Sequence, residues 1–181
     1  MTFKRWLPTF LAFPIGGELA IETVGSLHDP LSAAAGGLLA GAVIGVGQWL
    51  ALRSRGMSRR WPVHTAAAMS IGTAIAAVLT GAGTEVGDVM LTGLVAGGAV
   101  GAAQSALLGR GRRVAASWTA VSAASWSLGW LAAFAILVDI ERGYYVFGAG
   151  GATFVTVVTG LLLRHILARA GTTSTGLTAL A

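Results

Sequence analysis

Apolar residues run along this chain in six blocks of about 20, separated by short stretches that alternate between basic and acidic. The blocks at 6–27, 30–52, 62–83, 89–108, 114–138 and 145–167 each predict a helix. At 1.5 Å per residue, about 20 residues cross roughly 30 Å of hydrocarbon. Within the blocks the regular feature is glycine. In G-G-L-L-A-G-A-V-I-G-V-G-Q-W-L-A-L-R, residues 36–53, Gly37, Gly41 and Gly45 lie 11, 7 and 3 positions before Gln48. At about 100° per residue these four positions share one helix face.

The same spacing returns as Gly93, Gly97, Gly101 and Gln104. A degraded third copy has Gly148 11 positions before Thr159, which takes the glutamine position, and Arg164 five after it, as Arg53 follows Gln48. A second series interleaves with the first: Trp6, Trp61 and Trp118 are each followed 11 residues later by Gly17, Gly72 and Gly129. Two interleaved series of period about 56 read as three tandem helical hairpins, and such a repeat decides the architecture. The expected fold is an all-α integral membrane protein of six transmembrane helices about a pseudo-threefold axis. Residues 1–170 form one domain, with repeats at approximately 1–56, 57–112 and 113–169, and residues 171–181 form a disordered tail.

Composition agrees with the blocks. The chain has 181 residues, 55% hydrophobic and 10% charged, with a mean hydropathy of +0.75, values of a membrane protein rather than a soluble core. Its net charge of +5 would suggest nucleic acid in a soluble chain. The placement of the charges argues otherwise. Lys4 and Arg5, then Arg53, Arg55, Arg59 and Arg60, then Arg110, Arg112 and Arg113, then Arg164 and Arg169 cluster at alternate block ends. Asp29, Glu85, Asp88, Asp139 and Glu141 occupy the others, with Arg142 the single basic exception. This positive-inside pattern places both termini in the cytoplasm and the chain in a bacterial inner membrane, with the lipid bilayer and no nucleic acid as partner. Glu18 and Glu22 interrupt the first block, which reads as a retained helix and not a cleaved signal, and Pro14 predicts a kink within it.

Glycine at every fourth position brings two helix backbones together where no hydrophobic drive exists, so Gly37, Gly41, Gly45, Gly93, Gly97, Gly101 and Gly148 are read as packing positions. Gln48, Gln104 and Thr159 share those faces and point into the bundle, either as interhelical hydrogen-bond partners or as a polar ring lining a pathway. Glu18 lies about 18 Å from Trp6 along the first helix and is the sharpest candidate for an ion or proton site, since an ionisable group at that depth is costly. Trp6, Trp61 and Trp118 are read as anchors in the inner aromatic belt. Cysteine is absent, His64 and His165 lie in no spaced ligand motif, and neither a metal nor a cofactor is expected. No catalytic signature is present, so no enzyme is expected.

The G-x-x-x-G-x-x-Q-W motif followed by L-x-L-R, at Gly41, Gly45, Gln48, Trp49, Leu50, Leu52 and Arg53, resembles a signature of small bacterial multi-pass proteins. That group has no activity to transfer. In size the chain is also similar to the substrate-binding subunits of energy-coupling vitamin transporters, which lack the threefold repeat, so membership is not implied. Two functions remain: a small transporter or channel built on Glu18, Gln48, Gln104 and Thr159, or a non-transporting scaffold or accessory subunit with a membrane-protein partner or a second copy of itself.

Overall fold

The computed structural model describes residues 3–135 and 149–175, and these are helical with no strand among them. The elements are α1 (Phe3–Trp6), a 3-10 segment (Leu7–Leu11), α2 (Ala12–Val24), α3 (Pro30–Leu52), α4 (Trp61–Thr80), α5 (Val86–Leu108), α6 (Arg112–Ala135) and α7 (Ala149–Thr175). Four stretches are long and apolar enough to cross a membrane: Pro30–Arg55, Trp61–Thr80, Val86–Leu108 and Gly150–Ala168. The expected first and fifth spans fall short for local reasons. The first is broken by the 3-10 segment and carries Glu18 and Glu22, while α6 begins on Arg112 and Arg113 and includes four serines. Gly148, the acidic turn with Asp139 and Glu141, and residues 176–181 lie outside the described residues. Helix α7 continues through Thr175, past the point where a tail was expected.

Local chemistry sets the helix ends. Asp29 caps α3 by accepting from the backbone N–H groups of Leu31 (2.8 Å) and Ser32 (3.0 Å), the Ser32 hydroxyl accepts from the Asp29 N–H (3.2 Å), and Pro30 fills the first turn. That capping box satisfies donors no helical carbonyl can reach. Hydrogen bonds from the Ser32 backbone and hydroxyl, and then from Leu31, hold the Asp29 carboxyl below its ordinary pKa. The expected kink at Pro14 takes the form of the 3-10 segment one turn upstream. Pro14 has no N–H for the Phe10 carbonyl, and Pro8 starts the tighter turn.

The glycine faces pack across the basic connections. Helix α3 packs most extensively on α4 and α5 on α6, while α7 lies against α6 and returns to the N-terminal segment. A Cβ on Gly41 would lie 2.8 Å from the Met69 Cβ and 2.9 Å from the Ala66 Cα, and one on Gly45 would lie 2.7 Å from the Pro62 Cα. On the second pair, a Cβ on Gly97 would lie 2.6 Å from the Trp126 Cβ, and one on Gly101 2.9 Å from the Thr119 Cα. At Gly37 the Thr73 hydroxyl, and at Gly160 the Trp6 ring, occupy the space a side chain would need. Outward faces carry Leu38, Val46, Leu50, Ile71, Ile75 and Leu161. Helices apolar both inside and outside are suited to a lipid surrounding, since a soluble bundle would turn polar outward.

Candidate functional site: a buried amide layer

Toward the arginine-rich end, Gln48 of α3 and Gln104 of α5 meet inside the bundle. The two residues are 6% and 1% exposed, so their amides draw mainly on partners within the protein. The Gln48 Oε1 accepts from the Trp61 Nε1–H at 3.1 Å and from the Gln104 Nε2 at 2.8 Å. The same Gln104 nitrogen donates to the Thr65 hydroxyl at 3.0 Å, while the Gln104 Oε1 accepts from the Trp118 Nε1–H at 3.2 Å. Thr65 in turn donates to the Trp61 carbonyl at 2.9 Å.

Two indoles orient this layer. An indole N–H only donates, so the glutamine atom facing Trp61 and the one facing Trp118 must both be oxygen. With both oxygens so placed, the Gln104 nitrogen is left facing the Gln48 oxygen. The glycine faces make the meeting possible, because Gly45 and Gly101 let α4 and α6 approach closely enough for Thr65 and Trp118 to reach the amides. Beyond the layer, Trp6, Leu52, Trp61, Leu108, Trp118 and Leu163 form a continuous apolar plug.

Four of the expected site residues separate into different environments. Gln48 and Gln104 join one network. Thr159 is buried but donates to the Val155 carbonyl of its own helix (2.7 Å), outside that network. Glu18 is exposed on the outer face of α2 with Ile15, Leu19 and Glu22, turned away from the amides. The tryptophans expected at the lipid boundary are enclosed: Trp6 and Trp61 are fully buried and Trp118 is 1% exposed. Trp6 donates to the Thr156 carbonyl at 2.9 Å, which ties the N-terminal segment to α7. An indole sits in an aromatic belt when its N–H can reach headgroups; these three find acceptors inside.

Sequence position singles out the glutamines and the tryptophans but not the bonds between them. Gln48 lies 13 residues before Trp61 and Gln104 14 before Trp118, so a donor-only ring and an amide recur together. Thr65 had no signal beyond sharing a face with Trp61, four residues earlier.

At the other end, Phe13, Ala40, Met69, Thr73, Ala96 and Trp130 are among the residues that line an apolar cavity of about 80 Å³. Phe13 and Trp126 both belong to its lining, with ring centroids 5.5 Å apart. His64 is half-buried and His165 is exposed, and no group of metal-ligating side chains occurs among the described residues. No protein-family model, curated protein or solved structure matches the chain.

Proposed function

We propose that this chain is a non-conducting membrane scaffold or accessory subunit. It crosses a bacterial inner membrane six times as three hairpin repeats, with its arginine-rich end in the cytoplasm, and catalyses no reaction. One observation carries the reading. The Gln48 oxygen and both ends of the Gln104 amide, which would have to line a pathway, are engaged by Trp61, Trp118, Thr65 and each other, beside an apolar plug. A conducting path needs polar groups turned to water, and Glu18, in the middle of α2, faces outward instead. An outward carboxyl within the membrane favours a protein neighbour there, a partner subunit or a second copy.

The absence of native cysteine makes the test direct. Single cysteines at Gln48, Gln104 and Thr159 are expected to resist a membrane-impermeant thiol reagent from both sides, while one at Arg55 reacts. Labelling at Gln48 and Gln104, or solute flux through the purified protein in liposomes, would overturn the reading. The apolar cavity favours a second reading, in which it is the entrance for a small apolar solute and the amide layer is a closed gate. Flux that depends on pH and disappears in Glu18→Gln would favour that reading.

A further inference from the structure

The seam between the N-terminal segment and α3 opens into a groove at the arginine-rich end. Its narrow point is Gly47, where a Cβ would lie 3.0 Å from the Ala12 Cβ. The groove beside that contact has a volume of about 470 Å³. Its walls differ along their length. Pro8, Ala12, Gly47 and Leu50 make an apolar strip that runs toward the membrane interior, and Arg5, Arg53 and Ser54 stand at the mouth. The Arg5 Nη1 donates to the Ser54 hydroxyl at 3.2 Å, which draws the guanidinium across the opening. No lining residue is acidic, so the two guanidiniums face the groove without a carboxylate to neutralise them.

A second observation points to the same place. Thr9 lines the groove, is 5% exposed, and its hydroxyl has no hydrogen-bond partner. Threonine hydroxyls in helices usually return to a carbonyl one turn back, as Thr65 and Thr159 do. Thr156 of α7 is the other such hydroxyl among the described residues, but it does not line the groove; at Thr9 the unpartnered group lies beside two arginines and is suited to a water or a ligand oxygen.

We propose that this groove binds the phosphate of an anionic phospholipid. Arg5 and Arg53 take the phosphate oxygens, Ser54 orients Arg5, Thr9 meets the ester or glycerol oxygens, and one acyl chain lies along the Pro8 to Leu50 strip. The proposal is independent of whether the bundle conducts. A water-soluble phosphate offers the same oxyanion chemistry, but the apolar strip below the arginines argues for a ligand with a chain. Basic pockets between helices at a membrane surface are suited to such headgroups.

The test uses the full chain in nanodiscs and native mass spectrometry, counting bound phosphatidylglycerol against phosphatidylcholine, with inorganic phosphate as a separate addition. A retained phosphatidylglycerol molecule is expected, unaffected by millimolar phosphate. Arg5→Gln and Arg53→Gln should each weaken it about fivefold. Thr9→Val, which keeps the shape, should weaken it while leaving the unfolding midpoint in phosphatidylcholine unchanged. Arg113→Gln, at the same end but outside the groove, is the control for general surface charge. An equal loss in Arg113→Gln, or no preference between the two lipids, would overturn the site. Displacement by inorganic phosphate would overturn the lipid assignment in favour of a soluble ligand.

Discussion

Replacing Gln104 by leucine removes three of the hydrogen bonds in the amide layer while nearly preserving volume. The Trp118 N–H, in a ring 1% exposed, is left with no acceptor, at a cost of about 1–3 kcal/mol. The bonds from the amide nitrogen to Gln48 and Thr65 are also lost, at about 0.6 kcal/mol each on average between membrane helices. Leucine recovers little, because the unfolded reference is itself surrounded by lipid and no hydrophobic drive operates between helices. The expected loss is therefore about 2–4 kcal/mol, measured by reversible unfolding in mixed micelles or by steric trapping. The decisive comparison is the double variant with Trp118→Phe. Removing donor and acceptor together leaves neither group unpaired, so the double variant should be about 1–2 kcal/mol more stable than the sum of the singles. Additivity within about 0.5 kcal/mol would refute the pairing, and with it the claim that the indoles orient the amides.

Gly41→Ala, whose methyl would meet the α4 backbone, should cost about 1–3 kcal/mol, whereas Gly87→Ala, with open space around it, should be neutral or stabilise by up to about 1 kcal/mol; thermal unfolding of the pair separates packing from helix propensity. Gly25 ends α2 at φ 84° and ψ −156°, a conformation essentially reserved for glycine, so Gly25→Ala should lose about 1–3 kcal/mol although nothing lies within 4 Å of the new methyl. Because the folded pKa of Asp29 is depressed, its capping contribution is complete above the unfolded value near 3.9 and disappears as pH falls through the lower folded value. Wild type should therefore lose stability relative to Asp29→Asn as pH falls below about 4, and parallel pH curves for the two would contradict the capping assignment. Glu18→Gln should leave unfolding in detergent within about 0.5 kcal/mol of wild type, since the side chain is exposed and engages no neighbour among the described residues.

The helices were legible because hydrophobic runs, prolines and turn residues are local signals. The block at 30–52 coincides with α3, where Asp29 and Pro30 mark the start. The first block was less exact: Pro8 and Pro14 announced a distortion, but whether the chain would kink or tighten into a 3-10 turn depended on its contact with α7. Glycine spacing identified which faces approach closely, not which neighbour they approach. A stripe on α3 serves α2 or α4 equally well until side chains compete for it. Thr65 and Met69 fit into the α4 seam, while α2 meets α3 through its own Gly16 against Ala40.

Of the amide layer, Gln48 and Gln104 were legible as inward-facing groups, whereas Trp61 and Trp118 were not legible as their partners, for a reason that concerns tryptophan. A tryptophan near a basic cluster satisfies two rules at once, the aromatic belt and the buried ring with a partner for its N–H, and sequence position alone cannot separate them. What separates them is the presence of an acceptor at the right depth on the facing helix. Trp61 and Trp118 have Gln48 and Gln104, brought within reach by glycine seams. Trp6 has no amide to meet, because position 159 is threonine and that hydroxyl is committed to Val155. Its indole turns to the Thr156 carbonyl instead, beside Gly160, where any side chain would displace the ring. Where α7 meets the N-terminal segment, a tryptophan and a close approach are therefore present without an amide, and the indole N–H still finds a buried acceptor.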